Sequence, residues 1–183
     1  MVKMMTYSKL FCSLTPVLAC SASLAVACAL PVKAAPAPTL GSAALAVQKD
    51  VAQVGEARFT APDYKPGTVR HMVMFQFKPS VTQAQRAEVT KRFMALAQLS
   101  RRPDGTPVIA ALEAGPQNSG ENADLGLDYG YLVSFKSAGD RNYYVGRPIV
   151  QKAEYFDPAH DAFKTFAGPY LQKVVVFDFP VTP

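Results

Sequence analysis

The stretch from Val69 to Phe77 most narrows what this chain can fold into. Val69, His71, Val73, Phe75 and Phe77 alternate with Arg70, Met72, Met74 and Gln76. A period of two is the pattern of a β-strand. The second face carries two methionines instead of a row of charges, so both faces are expected to be at least partly buried. Such a strand needs cover on its faces, and the rest of the chain, or a partner, must supply it.

The following segments supply them. Pro79 stops the strand. Thr82-Gln83-Ala84-Gln85 has the form of a capping box, and Val89, Phe93, Leu96 and Ala97 follow on one helical stripe that ends near Ser100. A turn over 101–107 leads to a second strand, Val108 to Ala114, closed by Gly115-Pro116. Residues 117–127 read as loop. Asp128 to Lys136 is a third strand with Tyr129, Tyr131, Val133 and Phe135 on one face. Ser137 caps a short helix through Val145, and Gly146-Arg147-Pro148 breaks it. After an irregular stretch, Asp157-Pro158 opens another helix as N-cap and first helical residue, with Phe163, Phe166 and Ala167 on its buried side. Lys173 to Phe179 is the last strand. The order β-α-β-β-α-β predicts an α+β, ferredoxin-like fold, an antiparallel sheet with helices on one face. The other sheet face is then open, and if apolar it must meet a second copy. Either Met72 and Met74 or the His71-Val73-Phe75 row lies on it.

The first 34 residues read differently. Lys3 and Lys9 precede an apolar stretch from Leu10 to Leu30, Pro31 breaks it, and Val32-Lys33-Ala34 offers a small-residue cleavage site. This predicts a signal peptide cut after Ala34, and hence a periplasmic or secreted protein. A lipid-anchored form is the rival, because Cys20 and Cys28 each sit in a faint lipobox without the preferred Leu. Residues 35–68 form a linker and N-terminal extension. In it Leu40, Ala44, Val47, Val51 and Val54 recur at helical spacing, with a role in covering an edge or face of the domain at 69–183.

Charge and cysteine usage exclude several functions. The leader's Lys3, Lys9 and Lys33, with no acid among them, account for three of the five net positive charges. No basic stripe remains of the kind that tracks phosphates, so no nucleic-acid partner is expected. After signal cleavage no stable membrane insertion is expected either. All three cysteines precede residue 29, so the domain has no thiol nucleophile or thiolate metal site. The two histidines lack a third ligand at metal spacing, and no metal is expected.

Three segments resemble a known family. Val69 to Pro79 is similar to the opening strand of the stress-responsive dimeric α/β-barrel (Dabb) family: a basic residue, His, then alternating apolar residues into Phe-Lys. Asp157-Pro158-Ala159-His160-Asp161-Ala162-Phe163 resembles its His-Pro-x-His motif followed by an aromatic. Val174 to Phe179 resembles its closing strand. The resemblance covers about residues 69–179 and implies a homodimer whose two sheets form one barrel. Family function is heterogeneous. It includes stress-induced proteins of unclear biochemistry and polyketide cyclases of the olivetolic acid cyclase type, which carry out aldol chemistry without a cofactor. In the cyclase, the strand His and the second His of the motif line the pocket, the latter as general base with a Tyr partner. The matching positions are His71 and His160. The first His of the motif is Asp157 here. The Tyr position is Glu154, with Tyr155 one place away, and extra residues stand around Gly146 to Glu154.

Imidazole suits proton abstraction because it titrates near neutral pH. A phenol can hydrogen-bond a developing enolate. The candidate catalytic residues are therefore His160, His71 and Tyr155, with Phe75, Tyr129, Tyr131 and Phe163 as ligand-binding residues. The first expectation is a small apolar or aromatic ligand in a pocket lined by both histidines. The second is a cofactor-independent lyase or cyclase with His160 as base. The third is a structural stress protein with no ligand.

Overall fold

The computed structural model describes residues 40–182. The signal peptide expected over 1–34 lies outside the described residues. In chain order the elements are helix α1 (Ser42–Phe59), strand β1 (Pro66–Phe77), helix α2 (Gln83–Leu99), strands β2 (Ala111–Pro116) and β3 (Tyr129–Ser137), helices α3 (Ala138–Val145) and α4 (Pro158–Ala167), and strand β4 (Leu171–Pro180). The strands form one antiparallel sheet ordered β2-β3-β1-β4. From β1 onward this is the ferredoxin-like α+β arrangement, with β1 paired on both sides, to β3 and to β4.

Val73, Phe75 and Phe77 of β1 pack with Val89, Phe93 and Leu96 of α2 and with Phe163 and Ala167 of α4. The His71-Val73-Phe75 row therefore faces the helices. Met72 and Met74 lie on the opposite, uncovered face. There Met72 is in register with Leu132 and Phe177, Met74 with Val175, and Arg70 with Phe179. Phe177 is 60% exposed.

Local signals place the helix ends. Gln85 N donates to Thr82 Oγ1 at 3.3 Å and Thr82 N to Gln85 Oε1 at 2.9 Å, closing the capping box of α2. Asp140 N donates to Ser137 Oγ at the start of α3, and Ala159 N to Asp157 Oδ1 at the start of α4. Helix α3 ends at Gly146, whose φ of 59° no β-branched or bulky residue adopts readily.

Two elements depart from expectation. Strand β2 begins three residues later than the apolar run suggested, because Val108 N donates to Ser100 O and closes the turn after α2. Val108 and Ile109 still enter the core. Helix α1 runs on to Phe59 through a non-helical Gly55, and this break changes which residues anchor it. Val47 and Val51 pack inward as predicted, but Leu40 and Val54 are exposed, and the deepest anchor is Phe59.

Phe59 and Tyr64 form a second apolar cluster with Val150 and Phe156. Asn142 Nδ2 donates to Phe59 O at 2.8 Å, and Glu56 accepts from the amides of Gln151 at 2.9 Å and Lys152 at 3.0 Å. Arg102 ties Asp140 to Thr60 O. The approach is close enough that a Cβ on Gly139 would lie 1.7 Å from Ala61 O, so only glycine fits there. The extension thus fastens onto α3 and onto the loop that follows it.

Candidate functional site

On the helix-facing side of β1 and β4 lies a cavity of about 320 Å³. One end is set by His71, Asp178 and His160. The walls are Val73, Phe75, Phe93, Phe163, Val174 and Val176. Val174 and Val176 are about half exposed, so the cavity is open along the β4 edge. Val145, Arg147 and Lys164 line it at the junction of α3 and α4.

The strand register builds the polar end. His71 of β1 pairs directly with Asp178 of β4, so both side chains point to the same face. His71 Nδ1 lies 2.6 Å from Asp178 Oδ1, and Arg141 of α3 holds the other carboxylate oxygen. Burial alone would raise the Asp178 pKa. The hydrogen bond and charge of His71, together with the Arg141 guanidinium, outweigh burial and hold it below the usual carboxylate value. An ionised carboxylate only accepts, so His71 Nδ1 carries the hydrogen, and in the neutral ring Nε2 is the nitrogen with the lone pair. His71 is 4% exposed.

His160, one turn into α4, is fixed by a different partner. Its Nδ1 lies 2.6 Å from the Tyr144 carbonyl oxygen, which can only accept, so here too Nε2 holds the lone pair. Burial, then the charge of Lys164, pushes its pKa down to about 3. The ring is stacked on Tyr144 with centroids 3.8 Å apart, and Tyr144 meets His71 edge-on at 5.8 Å. The Tyr144 ring therefore separates and orients both imidazoles. Its hydroxyl is buried without a partner among the described residues.

The predicted site residues divide. His71, His160, Phe75 and Phe163 line the cavity. Tyr131 does not: it lies behind Phe75 and stacks on Phe93, its hydroxyl 3.0 Å from Thr90 Oγ1, and burial raises its pKa to about 12. Tyr129 lines a separate groove with Met74 and Leu125. Tyr155 sits in a short 3-10 turn against the second cluster, beside Val150, because the loop after α3 carries it away from His160. Reading the sequence missed Asp178, Arg141, Tyr144 and Arg147. The legible signal for Asp178 was one carboxylate inside the apolar run Val174 to Phe179. Among the described residues no three His, Cys, Asp or Glu side chains are grouped to hold a metal, and no helix is long and apolar enough to cross a membrane.

The model of the stress responsive A/B barrel domain matches residues 69–181. The chain belongs to the Dabb family. Among solved structures, a Dabb-like fold is shared with a protein of Arabidopsis thaliana. That protein is 25% identical, with a TM-score of 0.51, and the match covers 63% of this chain and 96% of the other. A hydroxynitrile lyase from Passiflora edulis is 20% identical, with a TM-score of 0.49, over 64% of this chain and 95% of the other. A dabb family protein with a ferredoxin-like fold from Mesorhizobium loti is 19% identical, with a TM-score of 0.43, over 64% and 99%. No curated protein matches the chain. In this Dabb domain Asp157, at the first position of the His-Pro-x-His motif, is a buried N-cap whose pKa burial pushes up.

Proposed function

We propose that this Dabb protein binds a small apolar or aromatic molecule in the cavity between β1, β4 and α4. The observation that carries this reading is the pairing of an apolar enclosure of about 320 Å³ with two convergent imidazoles at one end. In its neutral form each imidazole presents the Nε2 lone pair, so a ligand hydroxyl or an acidic C–H would face them. A panel of single-ring aromatic compounds should raise the melting temperature of the wild type. It should not raise that of Val176→Trp, which fills the cavity from a half-exposed rim position. Equal shifts in both proteins, or none in the wild type, would refute the reading.

A second reading is favoured by the Asp178–His71 pair. A partly buried carboxylate behind an imidazole fixes its tautomer and balances the charge gained on taking a proton. We infer that if the protein turns its ligand over, it does so as a cofactor-independent lyase or cyclase with His71 as the base. His160, whose basicity burial has lowered, would accept a hydrogen bond from the substrate. This exchanges the roles that the family resemblance suggested. Solvent deuterium entering a bound ketone at the α-carbon, lost in His71→Ala and retained in part in His160→Ala, is the expected result. The reverse ranking would overturn the assignment.

Export and self-association complete the proposal. Export rests on the leader sequence. Homodimer formation rests on the uncovered sheet face, where Met72, Met74, Leu132, Val175 and Phe177 form an apolar patch. Four strands cannot close a barrel alone, and a second sheet over this face would complete one.

A further inference from the structure

We infer that the ligand of this cavity carries a carboxylate, bound at the mouth by the guanidinium of Arg147; the inference rests on the ligand-binding reading above. Arg147 lines the cavity at the junction of α3 and α4, and its side chain is 53% exposed, so its charge stands at a second, solvent-facing mouth besides the β4 edge. The guanidinium carbon lies 4.7 Å from the centroid of the Phe156 ring, so the plane is already oriented by stacking. The nearest carboxylate oxygen, Asp161 Oδ2, is 3.7 Å from Nη1, beyond hydrogen-bond length. The other arginines packed around this part of the domain are used differently. Arg102 donates to Asp140 and Thr60 O, and Arg141 to Asp178 and Asn142. A stacked fork with its donors uncommitted matches a carboxylate in two-point geometry, and little side-chain freedom is left to lose on binding.

The charges around the cavity point the same way. Lys164 Nζ is committed to Val145 O at 3.0 Å and Arg147 O at 2.9 Å, so it caps the chain after α3, but its charge still faces the opening. Among the described residues the carboxylate within 4 Å of Arg147 and Lys164 is Asp161, 3.7 Å from each, with the buried Asp157 acting on Lys164 from farther off. Deeper in the cavity Asp178 is balanced by Arg141, and burial, with the nearby charge of Lys164, keeps His160 neutral. The surplus positive charge is therefore at the mouth. A bound molecule would direct its apolar body toward Phe75, Phe93 and Phe163 and its acid group toward solvent. Such a molecule is an aryl- or alkyl-carboxylate small enough for about 320 Å³.

The test uses ω-phenyl carboxylates with one to five methylenes and the matching primary alcohols, titrated calorimetrically into the full mature chain. In the wild type the best acid should bind about tenfold more tightly than its alcohol, and the ratio should shrink as salt rises. Arg147→Gln should erase the ratio, and Arg147→Lys should restore part of it. Melting curves confirm that the variants fold, since this side chain is at the surface. Equal binding of acid and alcohol by the wild type, or a ratio that survives in Arg147→Gln, overturns the inference and leaves the ligand-binding reading standing. If no member of either series binds, that reading falls and the carboxylate inference falls with it.

Discussion

Acidification from pH 7 to pH 5 should cost the fold about 2 kcal/mol through one side chain, His160. The ring is 7% exposed, stacked on Tyr144 and bonded through Nδ1 to a carbonyl. Burial foremost, then the charge of Lys164, holds its pKa at about 3. In the unfolded chain a histidine titrates near 6.5, at roughly 1.4 kcal/mol per unit of difference. The unfolded state therefore takes up the proton first. Stability is intact above about pH 6.5 and is lost as pH falls from there toward the folded value. At pH 5 the unfolded imidazole is about 1.5 units below its own pKa while the folded one is still neutral, which yields the figure above. The assay is urea denaturation at both pH values for the wild type and His160→Asn. The Asn amide can donate the same bond to the Tyr144 carbonyl but does not titrate. Asp157 has the opposite sign: burial raises its pKa, so its contribution is full at low pH and is lost as pH rises through the raised value. It is present in both proteins and cancels in the comparison. An equal loss of stability in wild type and variant, or a His160 ring that titrates near 6.5 by NMR, refutes the reasoning.

Other expectations follow from the same geometry. Asp178→Asn should release the His71 tautomer, seen as a change in the His71 ring nitrogen shifts. It should also remove the part of the stability that is present above about pH 3.9 and lost as pH falls through the depressed Asp178 value. Unchanged nitrogen shifts would mean that the carboxylate does not control the ring. Tyr144→Phe should leave stability unchanged or raise it by up to about 1 kcal/mol, since the hydroxyl it removes has no partner among the described residues; a clear loss in chemical denaturation would reveal one. Phe177→Lys should convert a dimer to a monomer by sedimentation velocity, and a wild type already monomeric at micromolar concentration would count against the closed barrel. Mature protein from the native host should begin at Ala35 or within a residue or two, whereas a lipid-modified Cys20 or Cys28 at the N-terminus would show a lipoprotein.

The element order was legible because each segment carried its own signal. The alternation in β1, the Thr82–Gln85 box and the Asp157-Pro158 start all act within a few residues. The face assignment was not legible: with Met72 and Met74 on one side and His71, Val73 and Phe75 on the other, both rows are apolar enough to be covered. Only the packing of α2 and α4 decides between them. At the site, the two histidines stood out by resemblance, but their partners are set by long-range geometry. Asp178 meets His71 through the β1–β4 register, across 107 residues of chain. The aromatic partner of His160 is Tyr144, at the end of α3, and not Tyr155. The loop after α3 sets which tyrosine returns, and no periodic pattern marks its path.

The carboxylate of Glu56 gives the N-terminal extension a role in inheritance. It grips the amides of Gln151 and Lys152, a few residues beyond Arg147 in the same loop. Similarity to the family starts at residue 69, yet the packed unit starts earlier, because Phe59 and Tyr64 are half of a cluster whose other half is Val150 and Phe156. Changes in α1 would therefore reach the loop that carries Arg147 without altering any residue that lines the cavity. Selection on ligand choice would then leave its record in a helix that the shared domain does not contain.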